Sequence, residues 1–257
     1  MTTNSINNLN PNNFYVQKTA SGTTVTETIS QTSDTAGATA RQLISVAGTS
    51  SANPCMKFNI IDTLSGFAVG PDNSSSDIFK VVIGSNVNPS NGSPVLTATQ
   101  AGIIQQPTQP SFLAYLSADT GAVTGDGTAY IVICDTEVYD TNLDYASATG
   151  VFTAPVTGKY CFYTFAFAIS AGSAGQDEGH VHILTSNLQY IGQRYNPINS
   201  VYSGAISFVG SYLADMDSGD TCVMRLNVGA TGAKNVKVGG GTPDGFVQTY
   251  FCGNLEC

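Results

Sequence analysis

Short apolar runs separated by turn-forming residues make up most of this chain. None of the runs shows the 3.6-residue period of a long amphipathic helix, and Gly, Asn, Asp, Pro and Ser recur between them. Short strands separated by such turns are typical of a β-sandwich or a barrel. The pattern therefore predicts an all-β protein.

The character of the runs divides the chain into three predicted parts. Residues 1–25, rich in Asn and Thr, are either a poorly ordered tail or an arm that docks on a neighbouring subunit or a larger particle. Residues 26–108 carry short strand-like runs and predict a small β-module. Pro107 and Pro110 then mark a linker, because proline donates no hydrogen bond to a sheet. In residues 109–257 the runs are longer and more aromatic, and they predict an antiparallel jelly roll.

The run from Lys159 to Ile169 is apolar on both faces of the strand that it predicts. Side chains alternate along a strand, so Tyr160 and Phe162 lie on one face while Tyr163 and Phe165 lie on the other. A strand with two apolar faces has to be covered on both. The opposing sheet covers one face, and a second subunit is the candidate cover for the other.

Charge is scarce and mostly acidic. The formal net charge is −9, and residues 111–257 carry thirteen acids against five bases, whereas residues 1–110 carry five against four. Binding of nucleic acid depends on Lys and Arg to neutralise phosphates. We therefore expect no nucleic-acid partner and no anionic membrane surface.

The start of the chain and its cysteines bear on the compartment. "MTTNSINNLNPNNFYVQ" has neither the basic nor the apolar region of a secretory signal, and no apolar run reaches the roughly 18–20 residues that span a bilayer. We expect synthesis in a cytosol, no membrane insertion, and reduced, buried thiols. A disulfide formed after release from the cell stays open as an alternative. The cysteines, none in a Cys-x-x-Cys pair, are Cys55, Cys134, Cys161, Cys222, Cys252 and Cys257.

The segment "ATGVFTAPVTGKYCFYTFAFAI" resembles the Gly-x-Phe-Thr-x-Pro-x-x-Gly-x-Tyr-x-Phe signature of a known family. That family is the trimeric jelly roll shared by the globular head of complement subcomponent q and the tumour necrosis factor ligands. "PSFLAYLSA" and "YIVICDTEVYDTNLDY" before the signature, and "DSGDTCVMRLN" and "TYFCGNLEC" after it, follow a similar order. The resemblance covers roughly residues 109–257 and implies an antiparallel, ten-strand-type jelly-roll sandwich that forms a homotrimer. It also implies that Thr157 and Gly158 turn the chain into a central strand.

A segment in the front half of the chain resembles a second, different kind of protein module. "FAVGPDNSSSDIFKVVIGSNV" resembles a short β-module found ahead of such heads in tail-fibre-like and other virion-associated proteins of phages and large viruses. This resemblance implies a virion protein, which is released by lysis and needs no secretion signal.

Two groups of residues are candidates for cation binding. His180 and His182 point to the same side of a strand and are weak candidates for a shared metal, the alternative being an exposed pair. A cupin-type site needs a further Glu and His, but the chain has only two His and no Glu between Glu178 and Glu256. Calcium is the other candidate, because carboxylates cluster along one part of the head. These acids are Asp119, Asp126, Asp135, Glu137, Asp140 and Asp144.

Motifs for catalysis are missing from the sequence. It contains neither the Gly-x-Ser-x-Gly elbow of a serine nucleophile nor the Gly-Lys-Ser/Thr of a phosphate loop. We therefore expect no enzymatic activity and no cofactor.

These observations together favour a non-enzymatic homotrimer that serves as a virion or surface fibre or decoration protein. Its head would bind a host-surface protein or a glycan, and its arm would contact other virion or surface proteins. The expected location is the virion, after synthesis in the host cytoplasm, or alternatively an extracellular surface. Two alternatives stay open: a purely structural capsid or cement protein, and a metal-dependent cupin-like enzyme.

Aromatic residues are the predicted trimer contacts, because a ring buries a large area at little cost in rotamer freedom. The predicted interface residues are Tyr115, Tyr163, Tyr212 and Phe251. The alternative for each is the core of a single protomer.

Overall fold

The structure is a computed structural model that describes residues 53–60, 65–85, 89–229, 232–241 and 245–256. The predicted arm, residues 1–25, and residues 26–52 of the predicted β-module lie outside these ranges. Within them the chain is nearly all β, and its one helix, α1, spans only Pro197–Ser200. None of the described helical structure is long and apolar enough to cross a membrane.

Five strands near the N-terminus form an antiparallel meander, which we call the N-terminal sheet. Its strands follow chain order and are β1 (Met56–Ile60), β2 (Ser65–Asp72), β3 (Ile78–Ser85), β4 (Ser93–Ala98) and β5 (Ile104–Gln105). The carboxylate of Asp72 holds the turn between β2 and β3, because it accepts hydrogen bonds from the Ser74 amide at 3.0 Å and from Lys80 Nζ at 2.6 Å.

Two antiparallel sheets stack on each other in the head. The first sheet has the order β13-β12-β15-β10-β9, with β7 beside β15, and the second has the order β14-β11-β17-β6-β8, with β16 beside β11. Most sequential strands thus cross from one sheet to the other, the exceptions being β9–β10, β12–β13 and β16–β17, as in a jelly roll. The predicted fold class is confirmed: an antiparallel jelly-roll sandwich preceded by a smaller β-sheet.

The strands of the first sheet are β7 (Ala129–Ile131), β9 (Tyr145–Ala146), β10 (Val151–Thr153), β12 (Gly179–Thr185), β13 (Gln189–Tyr195) and β15 (Thr221–Val228). Those of the second are β6 (Ser111–Tyr115), β8 (Thr136–Asp140), β11 (Gly158–Ile169), β14 (Ala205–Met216), β16 (Lys237–Val238) and β17 (Tyr250–Leu255). The sequence predicted about eight strands here, since strands of two or three residues leave no apolar run.

Stacked aromatic rings fill the space between the two sheets. Phe112 lies at their centre, with ring centroids 4.6 Å from Tyr145, 5.2 Å from Phe152 and 5.1 Å from Phe251. Phe152 also meets Phe162 edge to face at 5.4 Å. All five rings are buried, so this cluster is the main core of the head.

The turn between β10 and β11 aims β11 into the sheet. Ser218 fixes it from the facing turn, because its hydroxyl donates to the Pro155 carbonyl at 3.0 Å and its amide donates to Thr157 Oγ1 at 3.1 Å. Tyr160 closes the turn with a 2.7 Å hydrogen bond to the Val156 carbonyl. Strand β11 then runs between β14 and β17, which is the interior position that the family resemblance implied.

A candidate subunit interface on the second sheet

Strand β11 has one covered face and one open face. Its even-numbered residues from Tyr160 to Ala168 are buried against the first sheet, whereas Tyr163 on the other face is 44% exposed. Phe165 and Phe167 on that open face are partly exposed. The predicted strand with two apolar faces is therefore present, and the described residues of one protomer leave its second face open at Tyr163.

The strand register aligns rings across the open face. Phe165 lies opposite Val209 on β14 and opposite Tyr250 on β17, and Tyr250 in turn lies opposite Tyr115 on β6. The rings of Phe165 and Tyr250 stack with 5.5 Å between centroids. One uncharged row thus crosses four strands.

A second uncharged row runs beside the first. Tyr163 lies between Ser211 on β14 and Cys252 on β17, and Cys252 is followed by Leu113 on β6 and Tyr139 on β8. We call the two rows together the apolar face. Its residues are Leu113, Tyr115, Tyr139, Tyr163, Phe165, Val209, Ser211, Tyr250 and Cys252.

A shallow depression of about 280 Å³ lies on this face near β14. It forms where β13 approaches the edge of the second sheet: a Cβ atom on Gly192 would come within 2.9 Å of the Val209 carbonyl oxygen, so glycine is needed for this close approach. The depression gives the face a concave site that an apolar side chain of a partner can enter. Its lining residues are Tyr163, Thr164, Gln193, Val209, Gly210, Ser211 and Tyr250.

The four predicted interface residues fall into two groups. Tyr115 and Tyr163 lie on the apolar face, where their role in a trimer stays a prediction. The prediction that Tyr212 and Phe251 lie at the interface was wrong, because both are buried between the sheets of one protomer. The hydroxyl of Tyr212 donates to the Val181 carbonyl at 3.1 Å, and Phe251 packs on Phe112.

Val209, Tyr250 and Leu213 also lie on the open side of the second sheet, and none of them was among the predicted interface residues. The available signal was the alternation itself: once Phe251 points inward, Tyr250 and Cys252 must point outward. Sequence alone does not say which of two adjacent rings faces the opposing sheet. Phe251 was therefore predicted at the interface, where Tyr250 lies instead.

His180 and His182 are buried rather than exposed, which corrects the expected exposed pair. His182 is 1% exposed, and the two ring centroids are 5.2 Å apart. Burial, together with the charges of His180 and Arg225, lowers the pKa of His182 to about 4. Burial and Arg194 also lower the pKa of His180, while Glu178 opposes the shift.

Arginines stand beside both histidines in the strand register. Arg194 on β13 is opposite His180, and Arg225 on β15 is opposite His182. A cation bound at the imidazoles would face these guanidinium groups, which disfavours the site electrostatically. In the part of the chain that the structure describes, no three His, Cys, Asp or Glu side chains are grouped to hold a metal.

Three of the acids proposed for calcium, Asp126, Asp135 and Asp140, hold loops in place. Asp135 accepts hydrogen bonds from the amide and the hydroxyl of Ser117, both at 2.7 Å. Asp140 accepts from the Tyr145 amide at 2.8 Å, and Asp126 accepts from the Thr128 amide at 2.9 Å. These backbone contacts account for the placement of the acids, and calcium binding stays a prediction.

The described cysteines are all free thiols. Cys134 and Cys222 are buried in the core, and burial raises the pKa of Cys134 to about 12, which makes its thiolate inaccessible near neutral pH. Cys161 and Cys252 lie on the open side of the second sheet. Cys257 lies outside the described residues.

The geometry of the described residues defines a class of protein: a jelly-roll sandwich in which they leave one sheet face apolar and open. No protein-family model and no curated protein matches the chain. Among solved structures, the chain is similar to the globular domain of zebrafish complement 1qA protein, with 18% identity and a TM-score of 0.41 over 58% of this chain and 98% of that one.

Two further solved structures have similar coverage. Murine APRIL at pH 8.0 has 13% identity and a TM-score of 0.39 over 57% of this chain and 98% of its own. Eiger TNF from S. frugiperda has 11% identity and a TM-score of 0.37 over 58% and 94%. The jelly-roll assignment rests on the strand order of this chain itself.

Proposed function

We propose that the chain is a non-enzymatic homotrimer whose copies pack through the apolar face. The observation that carries this proposal is the pair of uncharged rows across the second sheet, with Tyr163 and Tyr139 both more than two-fifths exposed. Scattered apolar residues are normal on a protein surface, but a contiguous patch of rings marks an association site.

Three copies, rather than two, follow from the sequence resemblance. The strand that carries the Gly-x-Phe-Thr-x-Pro signature is β11, and its open side is the centre of the apolar face. In the resembled jelly rolls this strand contributes to a threefold contact. The same arrangement here places the stacked rings of Phe165 and Tyr250 between copies.

The trimer is proposed to be a fibre head or surface decoration of a virion, with loops that bind a host-surface protein or a glycan. Binding without catalysis is supported by the roles of the polar side chains, since loop acids such as Asp135 and Asp126 are engaged in holding the backbone. The resemblance of the β2–β3 segment to virion-associated modules supports the location.

A glycan array and a cell-binding assay with the full-length chain test the recognition role. The matched control is Tyr163→Asp, which is designed to separate the copies while leaving the loops intact. Multivalent binding multiplies weak contacts, so we expect the variant to lose at least tenfold in apparent affinity. A trimer that binds no glycan and no cell surface would contradict receptor binding and favour the structural capsid or cement role.

A further inference from the structure

In the N-terminal sheet, small apolar side chains are buried and large ones are exposed. Two small side chains on one side of it, Ala68 and Val82, are fully buried. The opposite face carries three phenylalanines that remain exposed: Phe58 at 55%, Phe67 at 52% and Phe79 at 41%. Large rings on an open face indicate that something covers it in the assembled protein.

The residues on this side form two continuous rows across the meander. Phe58 lies opposite Phe67, and Phe67 lies opposite Ile83. The neighbouring row runs through the residues Met56, Val69, Val81 and Leu96. Phe79 lies beside the second row, opposite Pro71. We call the two rows and Phe79 the phenylalanine face.

Charge is segregated from this face. Lys57, Lys80 and Asp72 alternate to the other side of their strands, and Lys80 is paired with Asp72 there. The two rows carry no charged side chain, so their complement is an uncharged surface. Another phenylalanine face meets that requirement.

The area is adequate for a stable contact. A fully buried aromatic side chain covers about 150–250 Å², so three half-exposed phenylalanines with Met56 and Ile83 leave roughly 450 Å² of apolar surface. Subunit interfaces are about 65% apolar in their core and bury about 800 Å² per partner. The roughly 450 Å² of exposed apolar surface is therefore close to the apolar area that one partner contributes to such an interface.

The short linker between the N-terminal sheet and the head indicates that another copy of the sheet covers the face. Strand β5 ends at Gln105 and β6 begins at Ser111, so residues 106–110 alone join the sheet to the head. Five residues span at most about 18 Å, and a hydrogen bond from the Gln109 amide to the Gln106 carbonyl at 3.0 Å folds them further. In a trimer of heads, the other copies of the sheet are then present at a local concentration of the order of millimolar.

We propose that the phenylalanine face of the N-terminal sheet packs on the same face of neighbouring copies, as a second subunit contact outside the head. This inference rests on the proposed homotrimer. The second copy is the occupant because it is uncharged at this face, offers a matching area and is held close by the linker.

Hydroxyl-radical footprinting of the full-length chain tests the contact. Mass spectrometry reads oxidation at Phe58, Phe67 and Phe79, and analytical ultracentrifugation gives the mass of the same samples. The comparison is between the wild type and the head variants Tyr163→Asp and Val209→Asp, either of which serves if the other fails to fold. We expect at least threefold lower labelling of the three rings in the wild-type trimer than in a monomeric variant.

The remaining outcomes separate the two proposals. A wild-type trimer with rings labelled as strongly as in the monomer overturns the second contact and leaves the head trimer standing. Protection in the monomer as well overturns it too, because the chain's own residues then cover the face. A monomeric wild type overturns both. Head variants that stay trimeric, with the three phenylalanine rings still protected, overturn the head interface and support the sheet contact. In that case the double variant Phe58→Thr/Phe67→Thr must separate the copies.

Discussion

Phe165 and Tyr250 stack with an angle of 7° between their ring planes, on the side of the second sheet that faces away from the first sheet. The two rings come from adjacent strands and are held by the sheet register. A partner that packs on them meets a flat, preformed surface, so association costs little side-chain entropy. This pair is the centre of the proposed subunit contact.

Tyr163→Asp should dissociate the trimer. Its carboxylate would be buried without a partner at the contact, so we expect the concentration of half-dissociation to rise at least a hundredfold. Because the dissociation constant of a trimer varies as the square of that concentration, this rise corresponds to about 5.5 kcal/mol per trimer. Sedimentation across a dilution series measures the shift. Leu188→Asp, at an exposed position of the hairpin between β12 and β13, is the matched control and should remain a trimer.

Phe251→Ala and Tyr250→Ala should act on different properties despite being neighbours. Phe251 is fully buried beside Phe112, so its truncation should lower the free energy of unfolding by about 3–5 kcal/mol. Tyr250→Ala should weaken association instead, with less than half of that effect on the unfolding of the dissociated chain. Urea denaturation and sedimentation of both variants make the comparison, and equal effects on unfolding would argue against the assigned faces.

His182 should make the head less stable in mild acid. Its folded pKa is about 4, below the ordinary value of 6.5, so the unfolded chain takes up a proton first as the pH falls. The contribution is fully present above pH 6.5 and is lost between about pH 6.5 and pH 4, to a total of about 3 kcal/mol. His180, whose pKa is also lowered, acts in the same direction.

Denaturation at fixed protein concentration, at pH 7 and pH 5, measures this effect. His182→Gln removes the titrating group, so the variant should lose less stability than the wild type between the two pH values. Because Glu178, Arg194 and Arg225 remain in both proteins, the difference isolates the imidazole. Identical pH profiles would contradict the buried, neutral state of His182.

Lys80→Met should loosen the turn between β2 and β3. Burial raises the pKa of Asp72, but hydrogen bonds from Lys80 and Ser74 outweigh it and hold that pKa at about 2. Without Lys80 the carboxylate loses its counter-ion but keeps the hydrogen bonds from Ser74, so we expect a cost of about 1.5–3 kcal/mol. Hydrogen exchange of peptides from this turn should quicken at least tenfold, whereas exposed Lys57→Met on β1 should leave it unchanged.

Much of the fold could be predicted from the sequence, because its signals are local. Alternation along Lys159–Ile169 and the turn around Pro155 identified a strand with two apolar faces, and the structure has that strand as β11 in the interior of the second sheet. What alternation does not fix is which face meets the opposing sheet. Tyr212 and Phe251 were assigned to the wrong side for that reason.

The histidines show a second limit of the sequence. Their i, i+2 spacing placed both rings on one side of β12, as found, and suggested a solvent-exposed pair. Strand β12 lies between β13 and β15, and Arg225 on β15, far from His182 in sequence, becomes its neighbour only through the sheet register. The phenylalanine face was missed similarly, because the pairing of Phe58 with Phe67 is visible only in the meander.

The mass of the full-length chain in solution at micromolar concentration tests the central claim most directly. Sedimentation equilibrium should give three times the 26.7 kDa of one chain, and Tyr163→Asp should bring it to a single chain. A wild-type chain that remains monomeric at that concentration, with Tyr163 freely accessible, would contradict the assignment of the apolar face as a subunit interface.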